Sequence, residues 1–418
     1  MIEQASPTVS PFSPLKLGPL TLRNRFIKSA TNEGRARGGT PTKALVQFHE
    51  SMAAGGNAMT TVAYCAVSPD GRTFVDQVTL NRAAVPHLRV LTEAVHRHGG
   101  AASAQITHGG CFTFIEELES GRPLSSSGGF NKVGIFSGQM LRRGMTETDM
   151  DRIAGEFVHA AQLAREAGFD AVEIHMGHGY LLSQFISPLY NRRRDQYGGS
   201  TENRARYPAQ VLRRVLDAVG RDLAVVCKVS VTDGVRRGNT ADDGAIVARA
   251  LEAEGAHLLV LSAGMNVESI TTMFGSSFPK ENRARPPNAI VAAAMFLQRL
   301  TEPQNIEFHE MYLLEPSRRV RAAVKMPLAY LGGIKSLASV QQVLGEGFDA
   351  VALGRALICE PDLPRRFASA TATRSECISC NRCVAMMYTP GGTSCVLHAP
   401  GDAALNAQPA LNAQPAAS

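Results

Sequence analysis

Residues 171–180 read Ala-Val-Glu-Ile-His-Met-Gly-His-Gly-Tyr, and the fold turns on how this stretch is read. It begins as a short apolar run, Ala171–His175, with the length and composition of a strand buried on both faces. It ends in a cluster of two histidines and a tyrosine punctuated by glycine. Upstream, Thr146–Ala167 carries a helical apolar period. Thr146 with Asp149 three residues on makes an acidic variant of the capping box, and Gly168 gives the stop. Downstream, Thr201–Val219 is again helical in period. Helix, strand, polar turn and helix form the repeating unit of a parallel sheet covered by helices.

The same rhythm extends in both directions. Candidate strands are Arg25–Ser29, Ala58–Tyr64, Ala101–Ile106, Ala171–His175, Ala224–Ser230, His257–Leu261, Pro327–Leu331 and Ala350–Leu353. Helical stretches Pro86–His98, Asp242–Glu254 and Ser336–Glu346 each run into glycine. Eight such strands alternating with helices predict an α/β fold, a (β/α)8 TIM barrel over residues 1–370, with a doubly wound sheet as the alternative. Residues 371–400 form a cysteine-rich segment. Residues 401–418 contain a direct repeat of Ala-Leu-Asn-Ala-Gln-Pro and too little apolar bulk to pack, so a disordered tail is expected. The stretch Gly264–Leu300 is too long for an ordinary βα loop and reads as an active-site insertion.

Composition narrows the function. The 418 residues carry 43 basic and 37 acidic side chains, a net charge of +6 spread along the chain with Arg192–Arg194 as its densest run. Neither this charge nor an aromatic content of 6% without tryptophan supports a nucleic-acid groove. No run approaches a membrane span, and the first residues lack a signal-peptide pattern, so a cytoplasmic protein is expected. In that compartment the eight cysteines read as thiols or metal ligands.

In a barrel, chemistry sits at the C-terminal strand ends. The third strand leads into Gln105 and His108, the fourth into His175, His178 and Tyr180, and the fifth carries Lys228. The seventh runs into Gly332-Gly333 and the eighth into Gly354-Arg355. Two glycine turns with a guanidinium suit a phosphate, although a Gly-Gly pair alone commonly only makes a turn. Two neutral imidazoles can donate to one substrate oxygen while a phenol supplies a proton. A single histidine there would ordinarily be structural, and a zinc pair lacks a third ligand nearby. Arg193, Arg194 and Asp195 read as a structural salt-bridge corner.

The run from His175 through Gln184-Phe185-Ile186-Ser187-Pro188, Asn191–Ser200 and Glu202-Asn203-Arg204 closely resembles the signature of the Old Yellow Enzyme family, FMN-dependent NAD(P)H oxidoreductases and ene-reductases. Leu22–Arg25, Gln105–Gly110 and Gly354-Arg355 extend the resemblance over roughly Pro14 to Phe367. It implies a barrel with FMN over its strand ends, lined by Ser29, Ala30, Thr31, Asn32 and Tyr64. It further implies Gln105 and Lys228 at the flavin ring, and Gly332, Gly333, Gly354 and Arg355 at its phosphate. His175 and His178 would polarise the substrate carbonyl or nitro group, and Tyr180 would donate the proton. Lys228 stands where the family usually has Arg, Asn32 where Thr, Cys or His is common, and Gly177 where Ala is usual. The last change is expected to matter little.

Cys377, Cys380, Cys383 and Cys395 form a Cys-x2-Cys-x2-Cys-x11-Cys array, which suits a [4Fe–4S] cluster or a tetrahedral zinc ion. The segment looks like the cluster-binding part of 2,4-dienoyl-CoA reductase and trimethylamine dehydrogenase. With 23 residues after Cys395, a cluster here is expected to be structural or to exchange electrons with a separate donor protein. Cys65, Cys111, Cys227 and Cys359 read as small core residues.

The leading expectation is an ene-reductase acting on enone-type small molecules. The alternatives are an amine demethylase or dehydrogenase, for which the sequence shows no clear aromatic bowl, and an electron-transfer subunit serving a partner reductase. The substrate, the choice between NADH and NADPH, and the oligomeric state (a homo-oligomer among the options) are not fixed by these motifs. Arg236, Arg237 and Arg283 are candidates for a 2′-phosphate contact, with solvated surface as their ordinary role.

Overall fold

The computed structural model describes residues 9–279, 306–398 and 401–411. Eight parallel strands close into a barrel: β1 Phe26–Lys28, β2 Met59–Ala66, β3 Ala101–Thr107, β4 Ala171–Met176, β5 Ala224–Ser230, β6 Leu258–Ser262, β7 Leu328–Tyr330 and β8 Ala350–Leu353. Each pairs with its neighbours in chain order, and β8 pairs with β1, Ala352 opposite Ile27, to close the ring. The barrel expectation holds and the open-sheet alternative falls.

Among the described residues, seven helices of nine residues or more cover the outside: α1 Lys43–Ala54, α2 Val85–His96, α3 Glu147–Glu166, α4 Thr201–Val219, α5 Ala241–Glu254, α6 Leu314–Ala323 and α7 Leu337–Gly345. Thr146 and Asp149 do form the capping box of α3, and Thr240 with Asp243 repeats it on α5. Alternate residues of each strand face these helices. Val172, Ile174 and Met176 of β4, for example, join the outer core with Phe157 of α3 and Val211 of α4. Their partners in the pleat face the barrel axis.

An N-terminal hairpin, Leu15–Leu17 against Leu20–Leu22, plugs the N-terminal end of the barrel. Leu15, Leu17 and Leu22 pack there with Met59, Val226 and Leu258. The Arg23-Asn24-Arg25 motif is structural: Arg23 donates to the carbonyls of Ala53, Asn57 and His98, tying α1 and α2 beneath the barrel. Among the described residues no helix is long and apolar enough to cross a membrane.

The tail departs from expectation. Residues 403–406 form a helical turn capped by Asp402, and Asn406 is fully buried. Its amide donates to the carbonyls of Gly34 and Pro390, and its carbonyl accepts from the Thr42 hydroxyl. Polar bonds to the β1 loop, rather than apolar bulk, order the segment through residue 411. Residues 412–418 lie outside the described residues, as do 280–305 of the long loop after β6.

Candidate active site

The C-terminal strand ends open into one cavity of about 1240 Å³. Of the residues singled out in the sequence, Ser29, Ala30, Thr31, Asn32, Tyr64, Gln105, His175, His178, Tyr180, Lys228, Gly333, Gly354 and Arg355 all line it. Gly332 does not: it packs against Tyr330, whose hydroxyl donates to the Gly332 carbonyl at 3.0 Å.

The histidines and the tyrosine form a compact group. The His175 and His178 rings meet edge to face at 5.0 Å, and the Tyr180 ring lies 4.6 Å from His175. His175 Nδ1 accepts the Gly177 N–H at 3.3 Å, which leaves its proton on Nε2. His178 sits at φ 62°, a left-handed conformation held by its N–H on Ser230 Oγ at 3.1 Å and its Nε2 against Ser262 Oγ at 2.8 Å. Burial, followed by the neighbouring His178 and Lys228, holds His175 well below the usual imidazole range. Burial followed by Lys228 pulls His178 down to about 3. Both are neutral donors at physiological pH. Burial pushes the Tyr180 phenol up to about 12, so it keeps its proton.

On the inner wall Lys228 Nζ lies 3.1 Å from Ser29 Oγ and 3.4 Å from the Ala30 carbonyl. Gln105 stands beside it on β3. At the far end Gly333 (φ 81°) and Gly354 flank Arg355, whose guanidinium bonds the Phe274 carbonyl at 2.7 Å and the Asn381 side chain. A Cβ on Gly354 would have nothing nearer than Thr31 Cγ2 at 3.7 Å. A cation and an amide at one end, and a glycine-flanked guanidinium at the other, fit a flavin mononucleotide. The volume exceeds what many single-ligand pockets offer, about 300–1,000 Å³, and leaves room for a second reactant.

Three features escaped the sequence. Glu173 is buried on β4 and bonded to Gln105. Its signal was present, a lone carboxylate in an apolar strand two residues before His175. A buried ion pair, Lys28 with Glu33, joins β1 to its following loop, where Glu33 also accepts the Ala63 N–H. The third is aromatic. Phe74 stacks on Phe114 at 5.3 Å, Phe112 meets both Phe114 and Tyr180, and Tyr64 meets Tyr180. The expected lack of an aromatic set is therefore overturned. These rings come from β2 and from the separate loops that follow β2, β3 and β4, so no local spacing announces the set.

Arg193 forms the expected structural corner, paired with Asp195 and donating to the Ser126 and Met145 carbonyls. The described part of the long loop, with a helical turn at Ile270–Phe274, borders the cavity as expected.

The cysteine segment is not a separate body, since Thr393 bonds Glu33 and Asn32 of the β1 loop. Cys377 and Cys383 are buried at the cavity wall, whereas Cys380 and Cys395 are partly exposed and off it. Among the described residues no three His, Cys, Asp or Glu side chains are placed to hold a metal ion. Cys377, Cys380 and Cys395 nonetheless gather around Cys383, each within electrostatic reach of its thiol. Cys65, Cys111 and Cys227 are buried thiols, as read. Cys359 differs: its sulfur lies 3.6 Å from His398 Nε2, at the edge of the cysteine segment.

The model of the NADH:flavin oxidoreductase / NADH oxidase family matches residues 10–374. The chain belongs to this family. It is a flavin-dependent NAD(P)H oxidoreductase acting on small molecules. It is 40% identical to a 4,4′-dithiodibutanoate disulfide reductase of Rhodococcus erythropolis over 94% of this chain and 96% of that protein. It is 32% identical to an NADH oxidase of Thermoanaerobacter brockii over 88% of this chain, but spans only 52% of that protein. In fold it is similar to a 2-naphthoyl-CoA reductase, with a TM-score of 0.77 at 21% identity, covering 95% of this chain and 58% of that one. It is also similar to morphinone reductase, with a TM-score of 0.68 at 24% identity, covering 89% and 94%.

Proposed function

We propose that the protein reduces the activated C=C bond of α,β-unsaturated carbonyl or nitro compounds at the expense of NAD(P)H. The observation that carries this reading is the group of two neutral imidazoles and one protonated phenol over a flavin-sized cavity. Lys228 and Gln105 would hold the flavin ring and Gly333, Gly354 and Arg355 its phosphate. Bound there, a flavin would supply the hydride chemistry between nicotinamide and the substrate β-carbon. The His175 Nε2–H and a His178 N–H donate to the substrate oxygen and stabilise the charge that develops there. Tyr180, poised at the same edge, donates its proton to the α-carbon. The wall of Phe74, Phe112 and Phe114 excludes water and seats a flat, apolar substrate body.

One other reading has specific support. The near full-length similarity to a disulfide reductase favours a disulfide as oxidant. In that case hydride adds to one sulfur, the S–S bond breaks, and Tyr180 protonates the departing thiolate. The cysteine array has no part in either reading.

The test follows the visible spectrum of anaerobic protein through an NADPH titration and then addition of 2-cyclohexenone. Bleaching by NADPH and recovery on the enone support the proposal. Recovery on 4,4′-dithiodibutanoate but on no activated alkene replaces it with disulfide reduction. Bleaching by a methylated amine without NADPH would favour amine oxidation, which the aromatic wall also suits.

A further inference from the structure

Gln105 and Lys228, the two side chains assigned to the flavin ring, are tied to a third residue that does not reach the cavity. Glu173 on β4 is in register with Gln105 on β3, and its next inward neighbour, His175, is in register with Lys228 on β5. One carboxylate oxygen, Oε1, accepts from Gln105 Nε2 at 2.6 Å and lies 3.2 Å from Lys228 Nζ. All three side chains are at most 2% exposed. The other hydrogen-bond partners of Lys228 Nζ, Ser29 Oγ and the Ala30 carbonyl, are neutral, and Lys28, which is within electrostatic reach of Lys228 and Glu173, has its own carboxylate partner in Glu33.

A carboxylate in the inward row of a buried strand is costly unless charge and hydrogen bonds compensate it. Here both do, through the two residues that face the ligand. We propose that Glu173 is a positioning residue that sets how strongly Lys228 favours the reduced flavin. This rests on the reading that the flavin lies along Gln105 and Lys228.

At 3.2 Å the carboxylate cancels much of the ammonium's field at the cavity wall. A neutral isostere keeps an acceptor for Gln105 and removes the cancellation. Lys228 then faces the flavin as an uncompensated cation and stabilises the negative charge that reduction brings.

The experiment measures the flavin midpoint potential by spectroelectrochemistry on FMN-loaded wild type, Glu173→Gln and Glu173→Asp. Glu173→Gln is expected to shift the potential to more positive values, raising the reduced-to-oxidised ratio at the wild-type midpoint about tenfold. Reduction by NADPH speeds up, reoxidation by the enone slows, and the KM for the enone is unchanged. Glu173→Asp keeps the charge but draws it back by one methylene, giving a smaller shift of the same sign, and it carries the test if Glu173→Gln fails to fold. An unmoved or more negative potential in the folded variants, with only a lower Tm, would overturn the proposal and leave Glu173 a structural residue. Wild type that binds no FMN would defeat the flavin reading itself.

Discussion

The two ends of the barrel are built from the same strands by the same alternation, yet they hold opposite chemistry. Along β5 the inward row runs Ala224, Val226, Lys228, Ser230; along β6 it runs Leu258, Val260, Ser262; along β4 it runs Ala171, Glu173, His175. The lower members pack with the N-terminal hairpin into a dry apolar plug. The upper members are buried too, Ser230 only in part, but as charges and hydrogen-bonding groups. Burial alone therefore says little about role in this molecule. What separates the ends is whether a buried group gains from burial or must be compensated for it.

That contrast makes its sharpest claim through Tyr180. Tyr180→Phe keeps the ring against Phe112 and His175 and removes the hydroxyl with its transferable proton. Reoxidation by an enone is expected to fall about 10²–10⁴-fold while reduction by NADPH and the Tm hold. Stopped-flow measurement of each half-reaction checks this, and an equal loss in both would mean that Tyr180 shapes the cavity instead of donating. Leu17→Ala probes the other end. Leu17 is fully buried in the plug, and its truncation should cost about 2–5 kcal/mol of stability with kcat/KM unchanged for the surviving folded protein. Denaturant melts beside steady-state assays read both quantities, and a loss of turnover per folded molecule would erase the distinction between the ends.

How much of this was legible in the sequence follows the same divide. The strands are short apolar runs whose bounds fall within about two residues of those expected, because burial on both faces imprints composition directly. Helices α1 and α6 were not read, since Lys43–Ala54 lacks a cap pattern as plain as that of Thr146 and Asp149, and Leu314–Ala323 is dominated by arginine. At the site, His175, His178, Tyr180, Gln105 and Lys228 were legible because each lies in the last few residues of a strand or just beyond it. Glu33 and the aromatic wall were not, since their meaning depends on loops that are distant in sequence. Gly332 was misplaced because a glycine pair reads as one turn, although only Gly333 reaches the cavity. The cysteine spacing was plain, yet spacing alone does not decide what the array binds.

Compensation at the upper end is also pH-sensitive. Burial pulls His108 down to about 4 and His178 to about 3, with His175 well below its usual range. In the unfolded chain each titrates near 6.5, so below that pH the unfolded state binds more protons than the native one. Their contribution is complete above about pH 6.5 and is lost as pH falls toward the native values. The slope is about 1.4 kcal/mol per pH unit for each such group while only the unfolded form is protonated. Melts between pH 7.5 and 5 should show a falling Tm. A Tm that rises over that range would mean that these histidines are charged in the folded protein, and the donor roles of His175 and His178 would go with it.

The smallest effect lies where the two ends' logics meet, at Gly177. A Cβ there would stand 2.9 Å from Ser230 Oγ and 3.2 Å from Ser230 N, closer than side chains ordinarily approach. The same hydroxyl accepts the His178 N–H and donates to the Gly264 carbonyl, both at 3.1 Å. Gly177 is therefore matched to Ser230, and its departure from the family's alanine is not the neutral change the sequence suggested. Gly177→Ala pushes the hydroxyl aside and tilts His178, which should raise the KM for an enone about threefold with little change in the NADPH half-reaction. Ser230→Ala removes the clashing oxygen but also the bond to His178, so it should cost a similar amount alone. Because both substitutions act through one hydroxyl, the double variant should be no worse than either single one. Fully additive losses would show that Gly177 serves the backbone alone and that Ser230 positions His178 independently of it.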